Sequence, residues 1–343
     1  MTRAAAFTAE IVRSSSRGLA GLATALLFER VAEATERYGD EGFETWRKTM
    51  AARLEALASA LEAGDSTIFS DDVGWFRSMS MSRGIPKADL ISAYECMEET
   101  LRGQLPEEAL GSVDDLLREG RSSLEAEDSL AAEFAAGSEA SKLFDLALLG
   151  DLGGSRRFML DGLKEGRFDI EGAVVEVLLP AAREAGRRWH LGKLGVAAEH
   201  VVTSTLRSAL HSLTAVLDKP EPNGKACFIA AVPGDAHDTG LAALALLLES
   251  KGWRVALAGA DTPIEEIDVT AEGYECDLIA LSATLTSQRY ALSSYLSRRT
   301  SELPVLVGGA AVRNAEDALR LGASGFARDL VEGVTRAEEL VGL

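Results

Sequence analysis

The chain has 343 residues, 47% of them hydrophobic and 26% charged, a composition suited to folded cores and a length that a single core rarely organises. Acidic residues outnumber basic ones 54 to 35, and the resulting formal charge of −19 repels phosphate backbones, which argues against direct nucleic-acid binding. Three cysteines, Cys96, Cys227 and Cys276, are far apart and odd in number, so they suggest neither a disulfide framework nor a zinc cluster and point to a reducing cytoplasm.

Taken in chain order, the first 130 residues or so carry apolar positions at three- and four-residue spacing, as in 52–61 and 90–101, and predict a helical domain over 1–132 with six to eight helices. The apolar run 18–28 is bracketed by Glu10, Arg17, Glu29 and Arg30 and is too short to span a bilayer, so it reads as a buried helix with no membrane role. Gly64 and Asp65 close one helix, residues 70–72 cap the next, and Pro86 opens a helix running through Cys96. Residues 122–138, rich in Ala, Glu and Ser, form a connection. Beyond it, 142–217 reads as four helices broken near Gly153-Gly154, near Gly166-Arg167 and at 190–195, predicting a small four-helix bundle over 138–218. Two prolines and a glycine within 218–224 make that segment a linker.

From 225 to 343 the pattern changes. Short apolar runs at 226–232, 254–259, 278–283, 305–308 and 325–328 read as strands, with helices expected at 239–251, 263–272, 292–301, 314–321 and 330–340. Runs without a two-residue period suit a parallel sheet covered on both faces, and the alternation predicts a doubly wound, Rossmann-like α/β domain with ligands at the strand C-termini. The fold class expected is therefore multidomain α and α/β.

The loop after the first strand, 233–240, reads Pro-Gly-Asp-Ala-His-Asp-Thr-Gly and contains Asp-x-His-x-x-Gly. Ser282 follows Gly240 after 41 residues and ends the third strand, and Gly308-Gly309 ends the fourth. In these three motifs the sequence resembles the cobalamin-binding domains of methionine synthase and its relatives. The resemblance implies a base-off cofactor with His237 as the lower cobalt ligand, Asp235 holding the other ring nitrogen's proton, and Gly240 letting the backbone pass close to the nucleotide tail. It also implies that Ser282 lines the tail pocket and relays to the Asp-His pair, and that Gly308 and Gly309 lie under the nucleotide. The family's Ser-x-Leu is here Ser282-Ala283-Thr284, with Leu285 one place on, so Thr284 stands where the family has leucine.

In the helical block Trp189-His190 is followed, with nine residues between Trp189 and the glutamate, by Glu199-His200. Trp-x9-Glu-His resembles the adenosylcobalamin photoreceptors typified by the light-responsive repressor CarH. That resemblance implies that Trp189 caps the 5′-deoxyadenosyl group, Glu199 binds it by hydrogen bonds and Val196 contacts it, with His200 in the same pocket or at a subunit contact. After light breaks the cobalt–carbon bond, His190 becomes the upper ligand. His211 has no motif role.

CarH-type repressors carry a winged-helix DNA-binding domain, but no basic recognition-helix pattern occurs at the start of this chain. Instead 71–104, with Gly74-Trp75-Phe76 and Arg83-Gly84-Ile85-Pro86-Lys87, resembles globin-like sensory domains, and no histidine precedes His190 to hold a haem. A globin-like domain ahead of a photoreceptor-type cobalamin domain resembles the photocobilins, which bind cobalamin and biliverdin. That implies a bilin pocket drawn from Trp75, Arg83, Tyr94 and Cys96, with Arg77 as another propionate partner; a bilin-free helical dimerisation module fits the same sequence. The function expected is a non-enzymatic light sensor, a homo-oligomer whose association responds to light and passes to an unknown protein partner. The alternatives are a corrinoid methyl carrier for a methyltransferase, a mutase subunit and a B12 carrier.

Overall fold

The computed structural model describes residues 3–126, 135, 137–218 and 220–343, and the chain divides into two compact units, Met1–Leu130 and Ala131–Leu343. Most of the expected connection at 122–138, including the limit at 132, and Lys219 of the expected linker lie outside the described residues.

Among the described residues, six helices build the first unit: α1 (Arg3–Arg30), α2 (Ala34–Tyr38), α3 (Gly42–Ala63), α4 (Thr67–Ser82), α5 (Lys87–Gln104) and α6 (Glu107–Glu125). Leu27, Leu54, Leu57, Phe69, Leu101 and Leu117 are fully buried in one shared core. The run 18–28 lies inside α1 and is amphipathic rather than wholly buried: Leu19, Ala23 and Leu27 face the core while Leu22 is 49% exposed. Among the described residues no helix is long and apolar enough to cross a membrane. Gly64 ends α3 in the left-handed region at φ 63°, as its lack of a Cβ allows. The start of α4 differs from expectation. Asp65 accepts from the Thr67 backbone N–H at 3.0 Å, whereas residues 70–72 lie inside the helix, where Asp72 pairs with Arg53. Pro86 precedes α5 in extended conformation, where its missing N–H costs nothing.

The second unit opens with helices α7 (Glu139–Leu148), α8 (Leu152–Lys164), α9 (Ile170–Gly172), α10 (Leu179–His190) and α11 (Val196–Thr214). A π-helical stretch, Ala173–Leu178, joins α9 to α10. The first break falls at 149–151 and not at Gly153-Gly154. Asp151 caps α8 by accepting from the Gly154 N–H at 2.7 Å, and a Cβ on Gly154 would stand 2.2 Å from that carboxylate, so the pair belongs to a capped first turn.

The α/β part follows as β1 (Ala226–Ala231), α12 (Thr239–Glu249), β2 (Arg254–Gly259), α13 (Ile264–Gly273), β3 (Leu278–Ser282), α14 (Arg289–Arg298), β4 (Val305–Gly308), α15 (Ala315–Leu321), β5 (Gly325–Phe326) and α16 (Leu330–Val341). The sheet is parallel throughout with order β2-β1-β3-β4-β5. Helix α14 begins three residues earlier than the apolar run suggested, because a 3₁₀ turn at Thr286–Gln288 leads straight into it. On one face, Leu246, Leu248, Leu278 and Leu306 share a core with Phe144, Val177, Leu206 and Leu210 of the helical cap. Each such side chain stabilises by about 1.5–3 kcal/mol when fully buried, so cap and sheet fold as one body. The strand order reverses between β1 and β3, and their C-terminal loops open a crevice there.

Candidate functional site

The loop after β1 is fixed by one carboxylate. Asp235 is fully buried; its Oδ1 accepts from the His237 backbone N–H at 3.0 Å and lies 2.8 Å from His237 Nδ1, and its Oδ2 accepts from the Thr284 backbone N–H at 2.9 Å. The partner of Oδ2 is thus the backbone of the β3 loop, two residues beyond the serine expected to relay to it. Burial alone would raise the Asp235 pKa, but hydrogen bonds from the His237 ring, the His237 backbone and Thr284 outweigh it and hold the carboxyl below its usual range. The Asp235 hydrogen bond in turn raises the His237 pKa, against the effect of burial. With Nδ1 taken, Nε2 is the nitrogen His237 offers outward, from a side chain 58% exposed.

Two residues that sequence reasoning missed complete this clasp. Gln288 is buried; its Oε1 accepts from the Thr284 and Leu285 N–H groups at 2.9 and 2.7 Å, and its Nε2 donates to the Gly234 carbonyl at 2.9 Å. Asp261, at positive φ of 49°, accepts from the Gly234 N–H at 2.7 Å. Gln288 stands three residues after Leu285, the spacing of a helix-entry cap, and Asp261 follows the end of β2; those were the available signals.

Two cavities meet at His237. One, of about 610 Å³, lies between the cap and the β1 loop, with Trp189, Val196, Glu199 and His200 on the cap side and His237 and Gly240 opposite. The other, of about 350 Å³, runs along the strand ends past Ser282, Thr284, Gly308 and Gly309, and also touches His237 and Gly240. A Cβ on Gly240 would meet nothing within 4 Å, so this first-turn glycine leaves open space where the cavities join. Gly309 has a different reason to be glycine: φ is 92° and a Cβ would stand 2.2 Å from the Ala283 carbonyl oxygen. Glu199 accepts a hydrogen bond from the Thr203 hydroxyl, and His200 Nε2 lies 3.8 Å from the Glu199 carboxylate. Arg207 on α11 pairs with Asp238 at 3.0 Å and ties the cap to the loop. His190, at the end of α10, lines neither cavity, and neither does His211. Gly186, which the motif reading passed over, does line the larger one; it is exposed in the middle of α10, and a Cβ there would meet nothing within 4 Å. A glycine inside a helix costs about 1 kcal/mol relative to alanine, a signal readable from sequence once the helix is placed.

The four residues expected to line a bilin pocket in the first unit differ in burial and partners. Trp75 is 42% exposed on α4, Arg83 lies past its end and donates to the Met79 carbonyl at 2.9 Å, and Cys96 is fully buried, its thiol pKa raised by burial. Tyr94 donates to the Leu117 carbonyl at 2.7 Å and borders a cavity of about 30 Å³ that Trp75, Arg83 and Cys96 do not line. Arg77 is buried, with its guanidinium on the Ser123 and Ala126 carbonyls.

Comparison with known proteins bears on the second unit. Residues 226–340 match a family model described as a B12 binding domain, and residues 140–214 match a second model of the same description. The chain is 35% identical over 148 residues to the HTH-type transcriptional repressor CarA of Myxococcus xanthus, covering 42% of this chain and 49% of that protein, so it spans about half the length of that relative. It is 27% identical over 184 residues to the dimethylamine corrinoid protein of Methanosarcina barkeri, covering 52% of this chain and 86% of that one. The monomethylamine corrinoid protein of Methanosarcina barkeri shares the fold, with a TM-score of 0.53 at 19% identity over 60% of this chain and 100% of its own. The segments that build the two cavities, 140–214 and 226–340, are therefore B12-binding domains, and they indicate a cobalamin or corrinoid cofactor.

Proposed function

We propose that this chain is a light sensor rather than an enzyme, holding adenosylcobalamin with His237 beneath the cobalt and Trp189 and Glu199 above it. The donor set suits such a group. His237 presents one imidazole nitrogen while Asp235 occupies the other, and two joined cavities separate space for a ring from space for a tail. When bound, the cofactor supplies a cobalt–carbon bond that light can break. The observation that carries the reading is that Trp189, Val196, Glu199 and His200 line the same cavity as His237. The Trp189 indole excludes water from the upper side, and the Glu199 carboxylate, oriented by Thr203, is placed to accept hydrogen bonds from ribose hydroxyls. His190 sits outside the cavity, so bringing it to the metal requires the last turn of α10 to move, and that movement is the proposed output, read as a changed homo-oligomer by an unidentified partner protein. The three cysteines are free and buried, which supports a cytoplasmic setting.

A methyl-carrying corrinoid protein is the second reading, favoured by the alignment that covers most of the dimethylamine corrinoid protein. Biliverdin has no comparable support. Of the four residues expected to hold it, Tyr94 borders a described cavity, one of about 30 Å³.

The test is an absorption spectrum and elution volume of the protein loaded with adenosylcobalamin, in the dark and after green light. Loss of the alkylcobalamin spectrum with a changed elution volume supports the sensor. A photostable adduct of unchanged size, with Glu199→Ala discriminating no less between adenosyl- and methylcobalamin than the parent, favours the methyl carrier.

A further inference from the structure

Three arginines line the two cavities: Arg183, Arg207 and Arg328. Arg207 is paired with Asp238 at 3.0 Å, and Arg328 lies 4.0 Å from Asp329. Arg183 is the one that borders both cavities, and among the described residues it has no hydrogen bond or ion pair. Its neighbours on α10 are neutralised locally, since Arg187 and Arg188 both donate to the buried Glu184, at 2.6 and 2.7 Å. In a chain of net charge −19, an arginine left without a carboxylate at the junction of two ligand cavities is a site for an anion that arrives with the ligand.

We propose that Arg183 binds the phosphodiester of the cofactor's nucleotide tail and thereby selects complete cobalamins over corrinoids that lack the tail. The inference rests on the cobalamin reading above but not on light sensing. The corrin's peripheral groups are neutral amides, so the tail phosphate is the peripheral anion that cobalamin offers, and a guanidinium matches it with two parallel N–H donors. The position fits: the second cavity, along the strand ends, offers neutral Ser282 and Thr284 to the tail, and Arg183 stands where it opens into the larger one.

The experiment titrates the full chain in the dark with hydroxocobalamin and with cobinamide, which has the same corrin but no phosphate, ribose or base. Arg183→Ala should weaken hydroxocobalamin binding about 10- to 100-fold and leave cobinamide unchanged, with Arg183→Lys recovering part of the loss. The parent's preference for cobalamin should fall with added salt more steeply than that of Arg183→Ala. Because Arg183 is exposed and unpaired, the cofactor-free variant should melt with the parent. Equal losses for both corrinoids, or a loss for neither, overturn the proposal. If the parent binds neither compound, the cobalamin reading itself fails, and with it this inference.

Discussion

Asp235→Asn is the most informative single change, because the structure specifies its cost atom by atom. Two carboxylate oxygens accept from three donors: the His237 backbone N–H, the His237 ring and the Thr284 backbone N–H. An asparagine has one acceptor oxygen and one NH₂. With its oxygen toward His237, the NH₂ confronts the Thr284 N–H, which Gln288 Oε1 still satisfies; the unmatched group is then the amide's own N–H, buried with no acceptor. A buried unsatisfied donor costs about 1–3 kcal/mol, and that is the expected fall in folding stability of the cofactor-free protein. The hydrogen bond to His237 Nδ1 also changes from charged to neutral, so the imidazole becomes a weaker and less firmly oriented ligand. Loss of such a supporting contact lowers metal affinity by about 10- to 100-fold. Denaturant unfolding gives the first quantity and a spectrophotometric titration with hydroxocobalamin gives the second. Parental affinity together with a parental spectrum in Asp235→Asn would refute the role assigned to this carboxylate.

Gly186→Leu should fold at least as well as the parent, since leucine is favoured over glycine in a helix by about 0.8 kcal/mol and no neighbour stands within 4 Å, yet it should abolish adenosylcobalamin binding by filling the cleft. Undiminished binding would remove α10 from the ligand site. Gly309→Ala combines a positive φ of 92° with a Cβ 2.2 Å from a backbone oxygen, so it should lower the stability of the second unit by about 1–3 kcal/mol; an unchanged denaturation midpoint contradicts this. Asp317→Asn leaves the buried guanidinium of Arg289, now held at 2.7 and 2.5 Å, without its counter-charge, a loss of about 3–5 kcal/mol. Burial alone would raise the Asp317 pKa, but the Arg289 hydrogen bonds dominate and depress it. Its contribution is therefore complete above the unfolded carboxyl's pKa and disappears as pH falls through the folded one. Stability measured from neutral to acid pH should slope less on the acid side in Asp317→Asn, and equal slopes would dismiss the linkage.

Much of the second unit was legible because buried parallel strands and short loops leave simple marks. Five apolar runs became five strands, and the Asp-x-His loop stands where the strand order reverses. Trp189 and Glu199 were singled out by the resemblance that Trp-x9-Glu-His carries, and the fold brings them onto one cavity wall. Less legible were features that depend on groups distant in sequence. Gln288 acts by reaching Gly234, 54 positions away, and Thr284 acts through its backbone N–H, which no side-chain pattern reveals. The break expected near Gly153-Gly154 lies just ahead of the pair, at 149–151, because glycine marks either a turn or a close approach, and here Gly154 makes room for the Asp151 cap. In the first unit, sequence spacing did not reveal burial: Tyr94 and Cys96 sit in the shared core while Trp75, on the preceding helix, is 42% exposed.

The π-helical stretch Ala173–Leu178 has a consequence for how the cap came by its site. Each residue of an α-helix advances about 100° around the axis, so a single residue absorbed into a widened turn resets the bearing of everything after it. Leu179, Arg183, Gly186 and Trp189 face the cleft together in that reset phase. A chain one residue shorter, wound as regular α-helix through the same stretch, would carry all four about 100° round α10 without altering any of them. One inserted codon upstream is thus enough to aim a whole ligand-facing edge, and deleting it would disarm the cap while leaving every recognition residue in the sequence.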